Sequence, residues 1–377
     1  MANYLFVTWD GGGNVTPAVG IATELKSRGH RVRFLGHEVQ RNDLAGAGFE
    51  FTAYERGRAF SSQDTNSPNV MMALFSDKGM GEDVLAAVAA HPADVVIVDC
   101  LLTGAQKACA DAGLTYVSLE HFFDGFLRKN WLRGPMGITA RAKGLRPLRT
   151  WNAAALVLVV SLPELDPGHN RKMPANVRYS GPILVAPAAR DWSDEEPAVL
   201  VSLSTYNFGG MTEAMQHILD ATADLDAKVI VTTGPVIDPA SLRVGANAEV
   251  HRYVPHDRLM PKASLVIGHG GHATTMRALA HDLPLVVMPM HPMLDQPMVG
   301  QSVERAGAGR LVRKGAKAES LRPVIAELLA DGPHRLAAAR LGAAIRGMAG
   351  TVTAADLIEQ CGPVNGAPGS QSLRSRT

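Results

Sequence analysis

The sequence predicts an α/β protein made of two doubly wound, parallel-sheet domains whose strand ends face each other across a cleft. Three observations carry this reading. The chain has 377 residues, more than one ordinary core accommodates. It opens on a strand, a glycine loop, a helix and a second strand, the unit from which parallel sheets are built. A second series of short apolar runs alternating with helical patterns begins at Ala198. Ligands of such sheets bind at the carboxyl ends of the strands, so the loops that leave those ends are the candidate site.

The elements follow in order. Tyr4 to Thr8 is an apolar strand and Asp10-Gly11-Gly12-Gly13-Asn14 a tight loop. Thr16 is the expected N-cap, with Pro17 at the first helical position. Ala18, Ile21, Ala22 and Leu25 then recur at helical spacing until Gly29, and Arg31 to Leu35 is the next strand. Residues 50–80 read as a long irregular loop of the kind that is usually functional. Asp94 to Val98 and Leu114 to Leu119 are buried-type strands, ending at Asp99 and at Glu120-His121-Phe122-Phe123. Residues 124–150 mix Phe126, Trp131 and Met136 with arginines and glycines, and Leu156 to Val160 closes the first sheet. Pro174 to Pro197, rich in Pro, Ala and acids, holds the linker. The expected units are a first domain over 1–180, a linker over 181–197 and a second domain over 198–335.

The second domain opens with the strand Ala198 to Leu203, which runs into Ser204-Thr205. Lys228 to Thr232, Glu249 to Val254, Leu285 to Met288 and Arg310 to Val312 are further strands. Between them, the apolar run from Lys262 to Ile267 stops in Gly268-His269-Gly270-Gly271-His272 and hands over to a helical pattern at Ala273. A strand that ends in glycines before a helix makes an anion site, because free backbone N–H groups and the positive helix end point at the ligand. His269 adds a side-chain donor, and Thr274 and Thr275 add hydroxyls. The strand ending at Met288 leads through a loop to Asp295-Gln296 and another helix. A carboxylate accepts from two hydroxyls and an amide both donates and accepts, so this pair suits a polyol. A diphosphate site beside a polyol site describes a nucleotide sugar. Pro333 to Gln360 is helical with a break near Gly347–Gly350, and 362–377 reads as a disordered tail.

Hydrophobic residues make up 46% of the chain and charged residues 19%, as in a globular protein. The formal net charge is +1, with no lysine or arginine run, which argues against a nucleic-acid partner. The longest apolar run, Ala153 to Val160, is far too short to span a membrane, and the start lacks the pattern of a signal peptide. Cys100, Cys109 and Cys361 have no metal spacing, so a reduced, cytoplasmic protein is expected. His251, His256, His281 and His291 show no metal-ligand pattern, and no metal or other cofactor is expected.

The second half resembles the family-one glycosyltransferases of the GT-B fold, in their macrolide and natural-product branch. The resemblance rests on Tyr253-Val254-Pro255-His256, then His269-Gly270-Gly271-His272-Ala273-Thr274, then Asp295-Gln296, in the family's order and spacing. The loop from Pro289 to Asp295 is about two residues longer than the family's usual one. The resemblance implies two Rossmann-like domains in the GT-B arrangement. It also implies a C-terminal helix, 336–361, crossing back onto the first domain. The implied activity is metal-independent transfer of a hexose, with inversion, from a UDP- or dTDP-sugar to an apolar acceptor such as a polyketide or macrolide. Tyr253 would stack on the base and Val254 read its edge. His269, the Gly270 and Gly271 amides, His272, Thr274, Thr275, Ser204 and Thr205 would hold the diphosphate end. Asp295 and Gln296 would hold the sugar. The bland alternatives are a capped strand-to-helix turn, a core tyrosine and a plain helix N-terminus.

Two positions depart from the family. Its catalytic base is usually a histidine in a Gly-His-Val-x-Pro loop, where this chain has Gly13-Asn14-Val15-Thr16-Pro17. An amide takes no proton at ordinary pH. Asp99 stands where the family keeps the aspartate that orients that histidine. Three readings remain for the base: Asp10 or Asp99 acting directly or through water, His121 replacing it from a neighbouring strand end, or an acceptor acidic enough to need only positioning. Asp10 alternatively braces the glycine loop, and His121 alternatively is structural. Arg277 stands where the family has a ribose-binding glutamate. A cation accepts from no hydroxyl, so a dTDP-sugar, lacking the 2′-hydroxyl, would lose least. Phe60, Phe75, Phe122, Phe123, Trp131 and Met136 suggest an apolar acceptor pocket, against the plain alternative that they are core. Rivals to the transferase are a non-catalytic sugar-nucleotide-binding partner of another enzyme and a nucleotide-sugar epimerase or hydrolase. A nicotinamide dehydrogenase is disfavoured because Asp10-Gly11-Gly12-Gly13 is not Gly-x-Gly-x-x-Gly.

Overall fold

A computed structural model describes residues 1–62, 64, 68–169, 171–185, 187–189 and 196–362. Beyond Gly362 the expected tail lies outside these residues, as does part of the linker, 186 and 190–195.

Among the described residues the first sheet has seven strands: β1 (Asn3–Val7), β2 (Arg31–Gly36), β3 (Glu50–Ala53), β4 (Val95–Asp99), β5 (Tyr116–Glu120), β6 (Leu156–Val159) and β7 (Val177–Tyr179). The second has six: β8 (Ala198–Ser202), β9 (Lys228–Thr232), β10 (Ala248–His251), β11 (Leu265–Gly268), β12 (Leu285–Val287) and β13 (Gly309–Leu311). Their orders are β3-β2-β1-β4-β5-β6-β7 and β10-β9-β8-β11-β12-β13, with every pairing parallel. The central strands are buried along their whole length, as in the Val-Val-Ile-Val-Asp of β4, because helices cover both faces.

In both sheets the strand order reverses beside the first strand, between β1 and β4 and between β8 and β11. Loops leaving those neighbours diverge and open a crevice at their carboxyl ends. The helix Pro333–Gly347 packs on His272–Ala280 of the second domain. After a left-handed Ala349, the helix Gly350–Glu359 packs against Val15–Ser27 and β6 of the first. Its Ala354, Ala355 and Ile358 enter one apolar cluster with Tyr4, Phe6, Ile21 and Leu25. Arg28 bonds Asp356 at 2.6 Å and Glu359 at 2.8 Å, and His30 bonds Glu359 at 2.7 Å.

Several local expectations are corrected. The first helix is Val15–Ser27 with Asn14, not Thr16, at the N-cap; the Asn14 side chain is engaged elsewhere and does not cap. Residues 50–80 are not one long loop: they hold β3, the helix Pro68–Phe75 and the start of the helix Gly79–Ala90. β6 does not close the sheet, since Val177–Tyr179 pairs beyond it inside the stretch that reads as linker. A three-residue edge strand, and a four-residue one written Glu-Phe-Thr-Ala, are too short for period-two patterning to register. In the second domain Met260–Lys262 is a 3₁₀ turn, so β11 begins only at Leu265.

Candidate functional site

On the second-domain side, β11 ends at Gly268 and the helix His272–Ala280 begins four residues later. Gly270 joins them at φ +83°, in the left-handed region. A Cβ there would lie 2.8 Å from Val287 Cγ1 and 3.0 Å from the Gln296 carbonyl, so the turn is seated directly on the Asp295–Gln296 segment. The Gln296 side-chain carbonyl accepts from the backbone N–H groups of Met290 (2.7 Å) and His291 (3.0 Å), which braces the long loop before it. Asp295 is buried, and one of its carboxylate oxygens, Oδ2, has no partner. Burial pushes its carboxyl up to about 7, against the opposing charge of His121. The His269 ring lies over Gly271, with Nδ1 unpartnered; burial pushes it down to about 4, despite a bond to the Leu203 carbonyl.

The remaining positions of the second domain are arrayed around this pair of turns. Ser204 Oγ accepts from the Tyr206 N–H at 3.0 Å. Thr205 is exposed and faces the first domain, its Oγ1 3.4 Å from where a Cβ on Gly12 would sit. Thr274 is half-buried and Thr275 buried in the first helical turn. Tyr253 and Val254 lie past the end of β10, two strands from β8, and Tyr253 is 76% exposed. Arg277 pairs with Asp257 at 3.2 Å, tying its helix to the turn that follows Tyr253.

On the first-domain side the order β1-β4-β5 sets three strand ends side by side, and Asp99 is their centre. Its Oδ1 accepts from the Leu101 N–H at 3.0 Å. Its Oδ2 accepts from the Asn14 amide at 3.0 Å and from His121 Nε2 at 3.0 Å. The Asn14 amide also donates to the Trp9 carbonyl at 3.1 Å, which fixes its orientation and leaves its Oδ1 buried without a partner. A carboxylate only accepts, so His121 Nε2 donates to it, and in the neutral ring Nδ1 is then the acceptor. The His121 ring lies against Phe122, tilted at 44° with ring centroids 4.1 Å apart. It lines a narrow cavity of about 30 Å³ between the domains with Gly13, Pro17, His272 and Arg277. His272 enters that boundary from the other side, edge-on to Phe123 at 5.0 Å. Its ring nitrogens have no hydrogen bond of good geometry, and burial, followed by the nearby His121, pushes it down to about 3 despite a weak interaction with the Val160 carbonyl.

Asp10 is engaged differently. Its carboxylate accepts from the Ser62 N–H at 2.8 Å, and its own N–H donates to His37 Nδ1 at 3.2 Å, so it braces the glycine loop. The expected aromatic wall is also corrected. Phe60, Phe75, Phe123 and Trp131 are buried in the core, the first two edge-on to Trp9 and the last beside Trp151; only Phe122 and Met136 are half-buried. Trp9 was unmarked in the sequence because it stands one residue past the end of the strand pattern. Asp99, Cys100 and His121 bring three metal-capable atoms within 4.8 Å of one another. Burial pushes the Cys100 thiol well up, into the form that does not ligate, and both Asp99 oxygens are already engaged.

Residues 216–361 match the family model of the erythromycin biosynthesis protein CIII-like C-terminal domain. The uncharacterized UDP-glucosyltransferase YojK of Bacillus subtilis (strain 168) is 24% identical over 95% of this chain and 97% of its own. The 4'-demethylrebeccamycin synthase of Lentzea aerocolonigenes is 26% identical over 95% of this chain and 99% of its own. The PGL/p-HBAD biosynthesis glycosyltransferase of Mycobacterium tuberculosis (strain ATCC 25177 / H37Ra) is 32% identical, over 57% of this chain and 49% of its own. Among solved structures, the glycotransferase of kitacinnamycin superposes with a TM-score of 0.80 at 23% identity, covering 96% of this chain and 99% of that one. This chain is a glycosyltransferase with the GT-B fold. The transferase also superposes on glycosyltransferase VinC in complex with DTDP, with a TM-score of 0.69 at 19% identity over 95% of this chain and 100% of that one.

Proposed function

We propose that the transferase moves a hexose, with inversion and without a metal, from a UDP- or dTDP-sugar to an apolar small molecule such as a polyketide or macrolide, and that His121 is its base. The observation that carries this is the double acceptance at Asp99 Oδ2, from His121 and from Asn14. The amide of Asn14 occupies the position of the missing histidine on that carboxylate. His121 keeps the second contact, with a free Nδ1 beside the inter-domain cavity.

In the proposed step, Nδ1 takes the proton of the acceptor hydroxyl. The hydroxyl oxygen bonds to the anomeric carbon on the face opposite the diphosphate, and the carbon–oxygen bond to the diphosphate breaks with its electron pair. Asp99 stabilises the imidazolium that forms. The Gly270 and Gly271 amides, His269, Ser204, Thr205 and Thr274 meet the charge on the leaving diphosphate in place of a cation. Asp295 and Gln296 bind the sugar hydroxyls, and Tyr253 stacks on the base with Val254 at its edge. Pairing of Arg277 with Asp257, where a ribose-binding carboxylate is otherwise expected, favours dTDP over UDP. The DTDP bound to VinC supports the same preference. Three unpaired cysteines support a cytoplasmic site of action.

The test is His121→Ala with a transferred sugar as readout. A general base contributes about 10²- to 10⁴-fold, so kcat should fall by that factor while the Kd for dTDP or UDP stays unchanged. Equal kcat in the variant would remove His121 from the chemistry. Donor binding without transfer to any acceptor in the parent protein would favour the auxiliary-partner reading, which Asn14 motivates.

A further inference from the structure

The segment from Gly125 to Leu162 holds seven cations and no carboxylate, in a chain whose net charge is +1. It folds into a helical turn, Phe126–Trp131, and the helices Pro135–Ala142 and Pro147–Ala153. Arg141, Arg146 and Arg149 line a surface groove of about 610 Å³ whose apolar walls are Leu132, Pro147 and Leu148. Arg128 reaches Asn152 at its rim, at 3.2 Å, while pairing with Asp124. Lys129, Arg133, Arg141, Arg146 and Arg149 have no carboxylate partner among the described residues. Beside them Ile138 is 54% and Leu148 42% exposed.

A row of cations alone is a solvated face. Uncompensated guanidiniums surrounding exposed aliphatic side chains are the chemistry of an anionic bilayer surface: the forks take phosphate oxygens two at a time and the aliphatic groups enter the headgroup–acyl boundary. We propose that this face of the first domain docks on anionic lipid, with Arg141, Arg146 and Arg149 on the headgroup phosphates and Ile138 and Leu148 inserted between them. An acidic protein would satisfy the guanidiniums but gives no reason for the two aliphatic side chains to be exposed. On the reading above that the acceptor is apolar, docking by this face would set the first domain against the phase into which that acceptor partitions. The proposal uses no residue assigned above to donor or base, so its failure and that of the transfer mechanism are separable.

The test is co-sedimentation of the full chain with vesicles of phosphatidylglycerol and phosphatidylcholine, and with pure phosphatidylcholine. Binding is expected only to the former, and should be lost as salt is raised toward 1 M, where screening acts within about 3 Å. The triple variant Arg141→Gln/Arg146→Gln/Arg149→Gln should partition about 100-fold more weakly. Leu148→Ser should do so about tenfold. Thermal stability and turnover of a water-soluble acceptor should be unchanged in both. No binding to anionic vesicles at low salt, or equal binding by the triple variant, would overturn the proposal. Retention on polyglutamate with no binding to vesicles would overturn it in favour of an acidic protein partner.

Discussion

Replacing Asp295 by Asn is expected to stabilise the unliganded protein at alkaline pH while removing its grip on the donor sugar. The carboxyl is buried with one oxygen unpartnered, and its folded pKa is pushed up to about 7 from 3.8. Between those values the native state holds a proton that the unfolded chain has released, so stability falls as pH rises from about 4 to about 7 and the loss is complete above that. Three pKa units correspond to about 4 kcal/mol. Asn keeps the shape and has no charge to desolvate, so the two proteins should be close in stability at pH 4. The variant should then melt several degrees higher at pH 8. The assay is thermal unfolding of both across pH 4–9. A gap that does not widen with pH would refute the reasoning, because it would mean that Asp295 is not held protonated by its site. A complementary readout is the proton balance of donor binding. A sugar that hydrogen-bonds the ionised carboxylate lowers its pKa, so binding near pH 7 should release part of a proton in the parent protein and none in Asp295→Asn.

Two further outcomes are expected. Gly270→Ala forces a side chain into φ +83° and within 3.0 Å of the Gln296 carbonyl, so it should lower stability by about 1–3 kcal/mol and weaken donor binding, read by thermal unfolding and by dTDP titration. Tyr253→Ala removes an exposed ring with no packing role, so it should leave the melting temperature within a degree or so of the parent. If the ring stacks on the base, nucleotide affinity should drop by about 10-fold or more.

The second domain was far more legible than the first, and the reason is where its information lies. The turn at His269–Gly271 and the pair Asp295–Gln296 are each contiguous, so spacing along the chain reports them directly. The first-domain site is assembled from positions 14, 99 and 121, and they meet only because β1, β4 and β5 are neighbours. The sequence names those three residues as strand-end candidates, but which of them share a carboxylate oxygen is a property of strand order. Aromatic content misled for a related reason. Phe60, Phe75 and Trp131 lie in irregular stretches that look like loops, yet each fills space against a tryptophan. Edge strands β3 and β7 escaped because four and three residues are below the length at which alternation can be seen. The cations of 128–149 are spread over three elements, so no run marks them, and only folding gathers Arg141, Arg146 and Arg149 at one groove.

The helix Gly350–Glu359 lays Ala354, Ala355 and Ile358 into the same cluster as Tyr4 and Phe6. On a ribosome that arrangement has an order. The residues of β1 emerge first and the strip that covers them emerges only after the whole second domain has been made. The first domain therefore waits, with an apolar face uncovered, while residues 180–349 are made, exposed to chaperones and to self-association. Its thermodynamic completion belongs to a helix made after the second domain, so a truncation near residue 350 should cost the first domain its solubility before it costs the second its nucleotide site.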